Sequence, residues 1–260
     1  MKNAQITSIM IATVLLLCPP FLMASKNVGS AKELTGSVTS AMFFISDENS
    51  EWSIEEKRAM LLLVDEAENW LILQAQTYQK ELYFEHHIFG WSQDITFTTI
   101  PSGTRSGFED VTISQQITQT LHFESPHDFV NRYITDHVQA LYFFKKDGAS
   151  YAFAYEEGLD DQYYLEGTAI FHQFNPKTPQ CASCIAHEML HIFGAWDFYQ
   201  TFQTTAKQEK LARKLYPNSI MLRTSYSFEE LSMDPVTAWR IGWTEEKPKE
   251  VDKFKPVPYR

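Results

Sequence analysis

The spacing of apolar and polar residues changes period several times along this chain, and each change marks an element. Residues 41–45 read Ala-Met-Phe-Phe-Ile, an apolar run of strand length. Ser53-Ile54-Glu55-Glu56 has the form of a capping box, with Ser53 as N-cap and Glu56 at the third helical position. Met60, Val64, Ala67, Leu71, Ala75 and Tyr78 then recur at helical spacing, which predicts one long helix to about Lys80 with Trp70 in the core. Residues 94–100 alternate with β-branched positions and read as a strand. Ser125-Pro126-His127-Asp128 opens a second helix, with Pro at its first position. Residues 138–145, 151–155 and 168–174 read as three strands, the first two joined by a turn at Asp147-Gly148.

A helix that is apolar almost all round follows, carrying Ile185, Ala186, Met189, Leu190, Ile192 and Phe193 and expected to begin near Thr178-Pro179. Residues 204–215 form the next helix, ended by Pro217. Asp234-Pro235, N-cap and first helical residue, open one that runs through Arg240. From Thr244 onward Lys, Glu and Pro dominate, so residues 246–260 are expected to be a loosely packed tail. A strand, a long helix, further strands and then helices indicate an α+β fold.

Composition narrows this picture. With 260 residues, 44% hydrophobic and 14% aromatic, the chain can bury the core of one ordinary domain. A net charge of −11 without any basic cluster argues against a nucleic-acid partner. At the N-terminus, Lys2 precedes a mostly apolar stretch over residues 9–24 that is interrupted by Cys18-Pro19-Pro20. Residues 1–25 therefore read as an export signal, with cleavage as late as residue 31 also compatible, and the chain is expected to be secreted or extracytoplasmic. Paired prolines and the shortness of the run weigh against a spanning helix, so no stable membrane insertion is expected once the signal is removed. A monomer is expected.

The candidate chemistry is concentrated in residues 187–197, His-Glu-Met-Leu-His-Ile-Phe-Gly-Ala-Trp-Asp. Residues four apart on a helix lie about 40° apart around its axis, so His187 and His191 project from one face and can grip one Zn²⁺. Glu188 lies about 100° round from His187, beside the ion, where it can take a proton from a water that the ion activates. Gly194 lets the chain leave the helix through a left-handed conformation. That turn can bring Asp197 back as a third, oxygen ligand. Three protein ligands with an open position is the pattern of a catalytic zinc.

The HExxHxxGxxD stretch resembles the metzincin clan of zinc peptidases, in its snapalysin-like variant with Asp in place of the usual third His. The resemblance implies a two-lobe fold. A mixed twisted sheet with a long helix and the active-site helix would form the upper lobe (about 32–194), and a small, mainly helical lower lobe would span about 195–245. It also implies a turn containing a Met that makes an apolar floor under the metal. Met221, 24 residues after Asp197 in Pro217-Asn218-Ser219-Ile220-Met221, fits that role, though an ordinary core Met would look the same. Some members place a Tyr after that turn to steady the tetrahedral intermediate. Tyr226 is the candidate here, and Tyr199 is a second Tyr that could line the cleft. Residues 151–155 correspond to the edge strand on which a peptide substrate lies.

Other readings stay open at this level. The third ligand could instead be a later carboxylate, Glu229 or Glu230. Cys181 and Cys184 have C-x-x-C spacing, which suits a local disulfide, a redox pair or part of a second metal site. His86, His87, His122, His127, His137 and His172 lack ligand spacing and are expected at the surface or satisfied in the core. The expected function is a secreted zinc endopeptidase acting on peptide or protein substrates. The alternatives are an inactive peptidase-like binding protein and a zinc hydrolase of a non-peptide amide.

Overall fold

A computed structural model of the chain describes residues 33–98, 100–101, 109–154 and 165–257. The expected export signal, and Tyr155 of the strand expected over 151–155, lie outside the described residues. The central sheet contains β1 (Gly36–Ser46), β2 (Leu82–Phe89), β4 (His137–Asp147), β5 (Tyr151–Phe153) and β6 (Gly167–Asn175) in the order β2-β1-β4-β6-β5. Two short strands add to it: β3 (Ile95–Thr96) extends the β2 side of β1, and β7 (Thr178–Pro179) pairs with β6. All neighbours along the main path are parallel except β5, which runs antiparallel to β6 at the sheet edge.

Both faces of this sheet are covered, which is why β1 and β4 read as continuous apolar runs instead of alternating. Val38, Met42, Phe44, Leu141, Phe143 and Ile170 face one core, together with α1 (Ile54–Thr77) and α4 (Ala182–Ile192). Phe43, Ile45, Tyr142 and Phe171 face the other, with Ile113 and Ile117 of α2 (Glu109–Thr120) and Phe129 of α3 (Pro126–Val130). The capping box of α1 is formed as the sequence predicts, and Ser125 caps α3. Trp70 is buried and stacks on Phe228.

The first core does not stop at the sheet. It continues through Met221 into the C-terminal helices α5 (Ala206–Leu215), α6 (Pro235–Arg240) and α7 (Val251–Phe254). The N-terminal segment ties the same region: Leu34 N–H donates to Ile241 O, and Trp243 Nε1 donates to Leu34 O. The fold is α+β with a mixed sheet.

Several sequence expectations need correction. Among the described residues of 94–100 only Ile95–Thr96 are strand, as β3, and Asp94 before it forms a buried ion pair with Lys57 of α1 (2.6 Å). The 147–148 turn is no hairpin, since β4 and β5 are not paired and both lie against β6. Residues 178–179 belong to β7, and the apolar helix begins only at Ala182 with Cys181 as N-cap. The expected loose tail is packed: Val251 and Phe254 are buried, and Phe254 stacks on Phe198 at 4.6 Å between ring centres. β2 escaped sequence reading because its Glu-His-His interior looks like surface. α2 also went unrecognised, its polar Gln and Thr positions hiding the short apolar stripe.

Candidate metal centre

Helix α4 carries the first two candidate ligands one turn apart, with His187 buried and His191 half-buried. It ends where Gly194 adopts φ +96°, a conformation that favours glycine. The N–H groups of Gly194 and Ala195 close the helix onto the carbonyls of His191 and Leu190. From α6, Arg240 Nε donates to Gly194 O at 2.7 Å, and its guanidinium lies over the Trp196 ring at 4.4 Å. The chain reversal that follows brings Asp197 back toward the two imidazoles.

His187 Nε2, His191 Nε2 and Asp197 Oδ1 stand 3.2 Å from one another on all three sides. His187 Nδ1 contacts Ile220 O and His191 Nδ1 contacts Ala195 O, each at 2.9 Å. Carbonyls only accept, so each Nδ1 bears the proton, and in a neutral imidazole Nε2 is then a bare lone pair. Three acceptor atoms therefore converge, and Asp197 Oδ1 is buried without a hydrogen-bond donor. Such a triangle is repulsive unless a cation or a shared proton lies between its corners. A tetrahedral zinc with bonds of about 2.0–2.1 Å has ligand edges of about 3.3–3.4 Å, close to this spacing, and the donor set of two imidazoles and a carboxylate suits zinc. The residues fit the ion.

Electrostatics agree with that reading. Burial alone would raise the Asp197 pKa, but the two imidazoles hold this carboxyl well below the usual carboxylate range. Burial opposes charge on His191, yet Asp197 outweighs it and lifts the imidazole to about 9, so without metal a proton takes the cation's place. Glu188 is shifted opposite to Asp197. Burial raises its pKa, while the neighbouring imidazoles and a hydrogen bond from the Ala152 backbone restrain the rise. That N–H comes from the edge strand β5, a contact that no sequence spacing announced.

The turn at residues 219–222 is fastened beneath α4. Besides the Ile220–His187 contact, Phe198 N–H donates to Met221 O at 2.8 Å. Buried Asp234 accepts from Ser219 Oγ (2.7 Å) while capping α6, and Ser219 Oγ accepts from Met221 N–H (3.1 Å). Met221 is fully buried.

Both Tyr candidates line the cavity beside His187 and Glu188, and they differ in their partners. Tyr226, 66% exposed against 37% for Tyr199, donates its hydroxyl to Pro179 O at 3.2 Å, on the cleft rim. Tyr199 instead hydrogen-bonds Asp197, and its ring lies 5.8 Å from that of His187. Burial and the Asp197 and Glu188 carboxylates push its hydroxyl far above the usual tyrosine range, so it stays protonated as a donor. The later carboxylates lie outside this triangle: Glu229 and Glu230 are exposed, and Glu230 pairs with Arg223. Cys181 and Cys184 form a disulfide. Of the other histidines, His86 pairs with buried Glu68 at 2.5 Å.

Two cavities, about 590 and 570 Å³, flank the centre and share Ser150, Glu188 and Tyr199 as lining residues. The first runs along the 222–226 segment and the start of α4, the second along β5 and the 194–204 segment. Both cavities thus reach Glu188. No helix among the described residues is long and apolar enough to cross a membrane. No protein-family model matches the chain, and no curated protein matches it.

Proposed function

We propose that this chain is a secreted, metzincin-type zinc endopeptidase. In this reading His187, His191 and Asp197 hold the ion, and Met221 forms the apolar floor of a Met-turn. The sheet with α1 and α4 forms the lobe above the cleft, and α5, α6 and α7 belong to the lobe below. The observation that carries the proposal is the 3.2 Å triangle of three bare acceptor atoms in a cleft wall, with Glu188 next to it.

When bound, zinc supplies Lewis-acid polarisation of a carbonyl oxygen and lowers the pKa of water toward about 7. Glu188 accepts the proton of the attacking water and passes it to the leaving amine. On substrate binding Tyr199 releases its hydrogen bond to Asp197 and donates its hydroxyl to the oxyanion that develops on the substrate carbonyl. Space on either side of Glu188, in the two cavities that it lines, suits an internal peptide bond, and the edge strand β5 offers backbone groups to an extended chain.

Metal analysis of purified protein, combined with a casein-cleavage assay with and without a zinc chelator, tests this. Bound zinc and chelator-sensitive cleavage are expected. Protein that binds no zinc, or that cleaves equally well in chelator, overturns the reading. Bound zinc without cleavage favours the inactive binding protein or the non-peptide hydrolase.

A further inference from the structure

The Cys181–Cys184 disulfide lies in the first turn of α4 and lines the same cavity as His187 and Glu188. Its two sulfurs are not equivalent. Both residues line the cavity, but Cys181 is buried, at 5% exposure, whereas Cys184 is half-buried. Cys181 is also the N-cap, and its Sγ accepts the Cys184 backbone N–H at 3.1 Å. A sulfur at this position becomes a good leaving group, since the positive end of the helix and that N–H stabilise a thiolate.

Hydrogen bonds hold the turn as well as the S–S bond. Cys184 and Ile185 N–H both bond Cys181 O, at 3.0 and 3.1 Å. Ser183 Oγ donates to Ser225 O and accepts from Ser225 N–H (2.8 Å), stitching the turn to the opposite cavity wall. These bonds hold the turn in place while the disulfide opens.

We propose that Cys181–Cys184 is a thiol–disulfide exchange site for small-molecule thiols that enter the cavity and attack Cys184. The incoming thiolate forms a bond to Cys184 Sγ as the Cys184–Cys181 bond breaks, and the electron pair leaves with Cys181 as thiolate. A second thiol attacks the mixed disulfide and releases Cys184 as thiol. Two thiols are oxidised to one disulfide as the protein disulfide is reduced to a dithiol. While Cys184 carries the small thiol, the adduct fills the cavity beside His187 and Glu188 and shuts out substrate. This last consequence rests on the proposed peptidase reading, whereas the exchange chemistry does not.

The test uses the full chain, with adducts located by peptide mass so that Cys18 is not counted. Native wild-type protein is treated with dithiothreitol, and separately with reduced glutathione followed by an acid quench that traps the mixed disulfide. Far-UV circular dichroism of the treated protein confirms that it remains folded. The disulfide is expected to open without denaturant, and glutathione to be found on Cys184 at least about tenfold more often than on Cys181, because Cys181 leaves as the better-stabilised thiolate. A disulfide that opens only on unfolding, or glutathione found equally or mostly on Cys181, overturns the proposal. Should the adduct form on Cys184 while no form of the protein cleaves casein, the exchange site stands and the peptidase reading falls.

Discussion

His187 Nδ1 lies 2.9 Å from the carbonyl oxygen of Ile220, the residue directly before Met221. This contact fixes which nitrogen of His187 is free to bind metal. It also joins α4 to the turn beneath it, so in the proposed reading metal affinity and the packing of the C-terminal helices are linked.

The roles of Asp197 and Glu188 separate by experiment. Asp197→Ala removes a corner of the acceptor triangle. Zinc affinity should fall by more than about 100-fold, beyond the loss typical when only a supporting hydrogen bond is removed. Glu188→Gln should keep zinc yet lose about 10²–10⁴-fold in turnover. Zinc titration and peptide cleavage read the two effects, and a Glu188→Gln variant as active as wild type would refute its role.

Tyr199 and Tyr226 make opposite predictions. Tyr199→Phe removes the hydroxyl beside Asp197 and should lower kcat by about 10²-fold while KM changes little. Tyr226→Phe breaks only an exposed bond to Pro179 O and should leave kcat near wild type. Steady-state kinetics on one peptide decides, and the reverse order of effects would reassign the donor.

The Glu68–His86 pair predicts a pH effect on stability, away from the cleft. The hydrogen bond to Glu68 raises the His86 pKa against the opposing effect of burial, and the charges of Glu68 and Asp65 add to the rise. With its folded pKa above the unfolded value, this group's stabilisation is complete below about pH 6.5 and is lost as pH climbs through the raised value. Urea unfolding from about pH 6 to about pH 9 should show a shallower loss in His86→Gln than in wild type. Equal slopes would rule the pair out as the source.

Phe254 tests the corrected C-terminus. It is almost fully buried and stacks on Phe198, the neighbour of Asp197. Phe254→Ala should cost about 3–5 kcal/mol in unfolding free energy and weaken zinc binding through the Phe198–Met221 hydrogen bond. A change within about 0.5 kcal/mol, as for a surface site, would restore the picture of a loose tail.

By itself, the sequence determined what short-range geometry controls. Helical spacing placed His187 and His191 on one face, Gly194 marked the helix end, and Ser53-Glu56 and Asp234-Pro235 marked helix starts, because each depends on residues within a few positions. Tertiary structure decided which carboxylate completes the acceptor set, which Tyr points at it, and that Ala152 donates to Glu188. It also decided that β5 joins β6 and not β4, and that Phe254 belongs to the core. These outcomes depend on contacts between segments far apart in the chain, set by which faces can be buried together, and local pattern carries no record of them.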